Sequence, residues 1–307
     1  MLSFRPEAAA AETDGAKSHP AVGFVSQPFE FNYNFKDVII YNLGVGASIK
    51  DGLQYLYEGH DKFSPIPSFA VIPGFAGMGV LFTGEIPDLE VDLTKVLHGE
   101  HYFKIVKPLP ESAKLTNTIK IQDVLDKGKG MVILLEIESR DETGEVVAVN
   151  QSSIFVVGSG GFGGPRSSGH SIESSEAPDR PADCSAEFLT STDQAALYRM
   201  SGDLNPLHIS PEFAAFGGFS TPILHGLCSL GISVRQILQH FANNDPTQLS
   251  AVKVRFSKPV LPGQTLKTEM WREANRIIFH TTVMETGATC LSGGWVELTG
   301  QANMSKL

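Results

Sequence analysis

Between Gly158 and Ala182 the chain reads GSGGFGGPRSSGHSIESSEAPDRPA, a stretch in which Gly, Ser and Pro dominate and apolar periodicity disappears. Such a segment cannot supply a core strand or helix, so it divides the 307 residues into two halves, each of ordinary domain size. The halves repeat one plan. Tyr41-Asn42-Leu43-Gly44 in the first is answered by Tyr198-Arg199-Met200-Ser201 in the second, 157 positions later, and Lys107-Pro108-Leu109-Pro110 by Lys258-Pro259-Val260-Leu261-Pro262, 151 positions later. Two spacings this close point to an internal duplication. A Gly158/Gly160/Gly163 match to G-x-G-x-x-G follows the strand-like Ser153 to Val157, but Gly164-Pro165-Arg166 cannot open the helix that a dinucleotide site requires.

After each Lys-Pro segment come strand-like runs: Leu115 to Leu125, Met131 to Ile137 and Val147 to Val157, then Thr265 to Trp271, Ile277 to Val283 and Cys290 to Leu298. Leu227, Leu230, Val234, Ile237, Leu238 and Phe241 follow helical spacing and predict a helix lying on the second sheet. At the matching place in the first half, Pro73, Gly74, Gly77 and Gly79 interrupt the apolar run from Phe69 to Phe82, so a long helix is not expected there. A sheet lacking part of its helical cover would leave an apolar surface able to take a fatty acyl tail.

A net charge of −10 gives no overall attraction to nucleic acid or an anionic membrane face. No run approaches the ~18 apolar residues of a membrane span. Cys184, Cys228 and Cys290 are odd in number, widely spaced and free of C-x-x-C pairing, which reads as reduced thiols without a disulfide or zinc framework. The first 26 residues read as a disordered leader. Ser305-Lys306-Leu307 closes the sequence with the tripeptide of a peroxisomal address, read by an import receptor.

The densest chemical segment runs from Tyr198 to His208. A helix with Ser191 as N-cap and Gln194 as capping-box partner is expected to pass through Tyr198 and stop near Ser201-Gly202, because Asn205-Pro206 forbids continuation. Asp203, Asn205 and His208 then share an irregular segment beyond a helix end: a carboxylate, an imidazole and a carboxamide available to orient one of them. A carboxylate and an imidazole sharing a water suit acid/base addition across a double bond. A turn satisfied by Asp203 and Asn205, with His208 merely packed, is the alternative. Thr221-Pro222-Ile223-Leu224-His225-Gly226 leads straight into the apolar helix, whose unpaired N–H groups suit a developing negative charge. Gly226 would let an oxygen approach its amide.

The run from Tyr198 to Ala214 fits Y-x-x-S-G-D-x-N-P-L-H-x5-A at every specified position, and Pro222 to Gly226 fits a second landmark. From about Ser26 to Thr299 the sequence resembles the MaoC-like 2-enoyl-CoA hydratase 2 family, which includes the hydratase 2 region of type 2 peroxisomal multifunctional enzymes. The resemblance implies an α+β double hot-dog fold: two repeats, each a central helix on an antiparallel sheet, the helix shortened in the first. Residues 27–157 would form a non-catalytic, acyl-binding repeat, 158–182 a linker, 183–300 the catalytic repeat, and 301–307 a tail bearing the targeting signal.

The same resemblance implies reversible hydration of trans-2-enoyl-CoA to (3R)-3-hydroxyacyl-CoA in peroxisomal fatty acid β-oxidation. Asp203 and His208 would hold the water, Asn205 would support them and the Gly226 N–H would serve as oxyanion donor. It implies thioester-ligand contacts at His98, Gly99, Lys127 and Phe256. Lys253, Arg255 and Lys258 alternate along one strand and could meet the CoA phosphates. Glu58 is a further acidic position of the family pattern, its role open. No metal or other cofactor is expected, CoA being part of the substrate, and two chains are expected to associate as a homodimer. An acyl-CoA-binding hot-dog protein without turnover and a hot-dog thioesterase are the competing readings.

Overall fold

The computed structural model describes residues 17–299. Ten strands form one antiparallel sheet: β1 (Phe29–Tyr33), β2 (Val96–Ile105), β3 (Ala113–Asp126), β4 (Gly130–Arg140), β5 (Val146–Val157), β6 (Cys184–Leu189), β7 (Leu249–Phe256), β8 (Thr265–Glu273), β9 (Arg276–Val283) and β10 (Ala288–Leu298). Their order across the sheet is β1-β3-β4-β5-β2-β7-β10-β9-β8-β6. Read from either edge, each strand of one half meets its counterpart in the other, so the order is a palindrome about the β2–β7 seam. The duplication suggested by sequence spacing is thus a pseudo-twofold in the fold, with β2 and β7 paired from Glu100↔Arg255 to Lys104↔Ala251.

The helices are α1 (Phe35–Gly44), α2 (Val71–Phe75), α3 (Gln194–Tyr198), α4 (Pro211–Phe216) and α5 (Gly226–Phe241). α5 has twelve buried residues in sixteen and lies against strands of its own half. Its first-half counterpart is broken: a 3-10 turn over Pro67–Ala70, the five residues of α2 and a second 3-10 stretch over Ala76–Phe82. Pro73 inside α2 lacks the N–H that a longer helix needs, so the segment turns repeatedly and a cavity persists beneath it. The equivalent helices α1 and α3 meet near the pseudo-axis. Tyr41 and Tyr198 pack ring to ring at 5.9 Å, and the Gln194 side-chain amide donates to the Gly44 carbonyl at 2.7 Å.

The six strand runs read from sequence match β3, β4, β5, β8, β9 and β10 within three residues at each end. β1, β2 and β6 were not anticipated. The leader also needs correction. Ala21 is fully buried, Gly23 N–H donates to the Ile121 carbonyl at 2.9 Å, and Val25 bridges Lys120, so residues 19–26 extend the β3 edge. The Ser191 box forms in altered register: Gln194 Oε1 accepts from Ser191 N–H, while Ser191 Oγ caps Asp193 N–H.

No helix or strand forms between Val157 and Cys184, yet the segment is tied down. Trp271 and Trp295 Nε1–H groups donate to the Arg180 and Glu173 carbonyls, both at 2.9 Å. The glycine-rich turn meets an anion of the chain itself, since Gly128, Gly161 and Gly163 N–H groups converge on the Asp126 carboxylate at 2.8–2.9 Å. The three cysteines are free thiols. Among the described residues no helix is long and apolar enough to cross a membrane.

Candidate active site

α3 passes into a single 3-10 turn, Arg199–Ser201, and ends at Gly202, whose φ of 137° lies in a region that a side chain resists. That reversal carries Asp203 inward. Asn205 Oδ1 then caps the 3-10 turn Pro206–His208 by accepting from Leu207 N–H at 3.0 Å, with Pro206 at the turn's first position. The carboxamide is therefore used locally, and it is the Asn205 backbone N–H that supports Asp203, donating to its carboxylate at 3.2 Å. At the turn's far end His208 Nδ1–H donates to the Ile223 carbonyl at 2.8 Å, which leaves Nε2 as the lone-pair nitrogen of the neutral ring.

Asp203 and His208 are each 9% exposed, and the ligand atoms of Asp203, His208 and His225 lie within 4.8 Å of one another. Burial raises the Asp203 carboxyl, against the opposing influence of His208; burial likewise lowers the His208 imidazole, against Asp203. The two proton affinities move towards each other, the condition under which one pair can both take and give a proton. His208 and His225 stack at 3.7 Å with planes 28° apart, and His208 Nδ1–H and His225 Nε2–H donate to the Ile223 and Asp203 carbonyls.

Gly226 opens α5, where the first-turn N–H groups have no intrahelical partner. A Cβ there would lie 2.8 Å from the Phe256 ring, so only glycine lets that ring close over the helix end. The Phe256 ring in turn meets His98 edge to face at 5.0 Å.

Asp203, Asn205, His208 and Gly226 line one cavity of about 810 Å³, and His98, Gly99, Lys127, Arg255, Phe256 and Lys258 line the same cavity. From the first half its apolar lining includes Phe75, Met78, Leu81 and Phe82 of the broken helix. Lys253 corrects the sequence reading: it is 1% exposed and bonded to Glu100 at 2.6 Å, which leaves it no part in contacting a bulky anion. Glu100 itself lines the cavity and also holds Arg255 Nε at 2.9 Å. It stands inside the Leu97-His98-Gly99-Glu100 segment, but its partners are more than 150 residues away and no local pattern signals them. Glu58 is exposed and outside this lining.

Two family models match in tandem: the MFE-2 hydratase 2 N-terminal domain over residues 31–158 and the MaoC like domain over residues 173–293. The chain is 38% identical over 289 residues to "Enoyl-CoA hydratase 2, peroxisomal" of Arabidopsis thaliana, covering 88% of this chain and 91% of that protein. The chain belongs to the enoyl-CoA hydratase 2 family. Within that family it is 48% identical to the mouse peroxisomal multifunctional enzyme type 2 over 93% of this chain, though it spans only 39% of the mouse protein. A crystal structure of a MaoC-like dehydratase from Phytophthora capsici superposes with a TM-score of 0.81 at 35% identity, covering 90% of this chain and 96% of that one. The palindromic sheet is that of a double hot-dog fold.

Proposed function

We propose that this chain catalyses the reversible addition of water to trans-2-enoyl-CoA, giving (3R)-3-hydroxyacyl-CoA in peroxisomal fatty acid β-oxidation. One observation carries the reading: a buried carboxylate and imidazole, within 4.8 Å of each other, share a cavity with the open N-terminus of α5. That separation accommodates one water hydrogen-bonded to both. With the thioester carbonyl against the Gly226 N–H, negative charge gathering on its oxygen is met by an amide already in place and by the helix dipole.

Water then loses a proton to the Asp203/His208 pair as its oxygen bonds to C3, and the C2=C3 electrons move into the thioester enolate. The pair delivers a proton to C2 as the carbonyl reforms. No electrons are gained or lost overall, so the reaction itself needs no redox cofactor. Lys127, Arg255 and Lys258 are the cations available to the CoA phosphates in an acidic protein. The test is loss of enoyl-CoA absorbance with chiral analysis of the product. Release of free CoA would instead mark a thioesterase, and binding without turnover a carrier.

The first half serves as the acyl-binding repeat in this reading, Gly44-Val45-Gly46 standing where the second half has Ser201-Gly202-Asp203. Met78→Trp, which fills the apolar depth, is expected to lower kcat/KM for long-chain enoyl-CoA roughly 10-fold or more and to leave a four-carbon substrate within about 2-fold. Equal loss on both substrates would place the acyl chain elsewhere. Ser305-Lys306-Leu307, outside the described residues, is the proposed handle for the import receptor. Its deletion from a fluorescently tagged chain is expected to leave the protein in the cytosol. Association of two chains into a homodimer is proposed from the family and is open to sedimentation analysis.

A further inference from the structure

We propose that His225 is a positioning residue that holds both members of the catalytic pair from behind, through a ring stack on His208 and a hydrogen bond to the Asp203 backbone. The proposal rests on the reading of Asp203 and His208 as that pair. His225 is 1% exposed and stands behind the residues that line the cavity, which gives it a supporting place. Its Nε2 lies 3.2 Å from the Asp203 carbonyl oxygen and must carry the proton; its Nδ1 is buried without a hydrogen-bond partner. A proton leaving Nε2 would break the bond to Asp203.

The two contacts secure different things. His208 is fixed along one edge by the Ile223 carbonyl, but that bond alone lets the ring swing about it. The His225 ring, 3.7 Å away and 28° from parallel, sets the plane and so the direction of Nε2. The bond to Asp203 ties the irregular segment after Gly202 to the head of α5, where the Gly226 amide waits. Acid, base and oxyanion donor are thereby held in one frame. His225 is in turn backed by the Tyr198 ring at 5.0 Å. Displacing a reacting group by an ångström commonly costs about 10²-fold in rate, the scale expected if this support is removed.

Two substitutions separate the contacts. His225→Phe keeps a ring against His208 and loses the donor to Asp203; His225→Gln keeps a donor and loses the stack. Each is expected to lower kcat roughly 10- to 100-fold with KM for enoyl-CoA within about 3-fold, and His225→Ala to lower kcat at least as much as either. The acid limb of the kcat profile supplies a readout that general destabilisation would not move. The ionisable groups around His208 are Asp203 and His225, with Arg199 beyond Asp203 and with His98, Glu100, Lys127, Arg255 and Lys258 also lining the cavity. Burial is what lowers His208, so loss of the covering ring in the Gln and Ala variants is expected to shift the limb to higher pH, while the Phe variant keeps it in place.

Wild-type kcat and an unmoved limb in the folded Gln variant would overturn the proposal, as would loss confined to KM. If the wild-type chain itself fails to hydrate enoyl-CoA, the reading of the pair fails first, and the two failures are told apart by that control.

Discussion

Asp203→Asn is expected to lower kcat by about 10³-fold or more while leaving KM for enoyl-CoA within roughly 3-fold. Asparagine keeps the size of the side chain and can still accept from the Asn205 N–H, so the Gly202 to Asn205 segment has no steric reason to move. What disappears is the proton-accepting oxygen facing His208. Because burial already raises the Asp203 carboxyl, the neutral amide resembles the protonated form, and the fold should tolerate it. His208→Gln is expected to cost a similar factor, and the double variant little more than either single one, since two groups holding one water act as a unit. The measurement is steady-state hydration at saturating substrate, with product-analogue binding by calorimetry to establish that the cavity is intact. An Asp203→Asn enzyme retaining a tenth of wild-type kcat would remove Asp203 from the chemistry.

The proximity of Asp203 and His208 was legible because six residues of sequence span it. Gly202 and Pro206 are local devices, and a carboxylate and an imidazole on one short irregular segment cannot lie far apart. The strands rich in β-branched residues were legible for the same reason, each announcing its burial by its own composition. β2 was not: Val96-Leu97-His98-Gly99-Glu100-His101 reads as a polar loop, and it is a strand because it forms the central seam with β7 and directs its polar groups into the cavity or a buried network. His101 stays neutral there, far below its ordinary value through burial, held between Ser152 and Asn150. Such a network answers to residues about fifty positions away. The packed residues 19–26 were hidden by the alanine-rich segment before them, which has no strand pattern. Nor could spacing foretell that His225 would stack on His208, because α4 and an irregular segment stand between them in sequence.

The seam, where Glu100 meets the cavity, holds the largest stability effect expected. Lys253, its side chain 2% exposed, is compensated by Glu100 at 2.6 Å, and Glu100 also bonds Arg255 at 2.9 Å. Burial pushes the Glu100 carboxyl up, but the two cations outweigh it and hold it below its ordinary value; burial lowers the Lys253 ammonium despite Glu100. Glu100→Ala strands that ammonium inside the protein and is expected to cost about 3–5 kcal/mol of unfolding free energy in urea titrations. Lys253→Met removes the charge with its partner left half-buried beside Arg255, and should cost clearly less. The pH dependence separates a stranded charge from lost packing. In Glu100→Ala the folded-state affinity of Lys253 for its proton falls further below the unfolded value of 10.5, so the unfolded chain binds more protons between the two values. Stability of the variant must therefore rise as pH increases through that window, narrowing its deficit against wild type. A deficit constant from neutral pH to pH 10 would mean that Lys253 holds its proton in the folded variant as firmly as in wild type, so that the cost is lost packing and not a stranded charge.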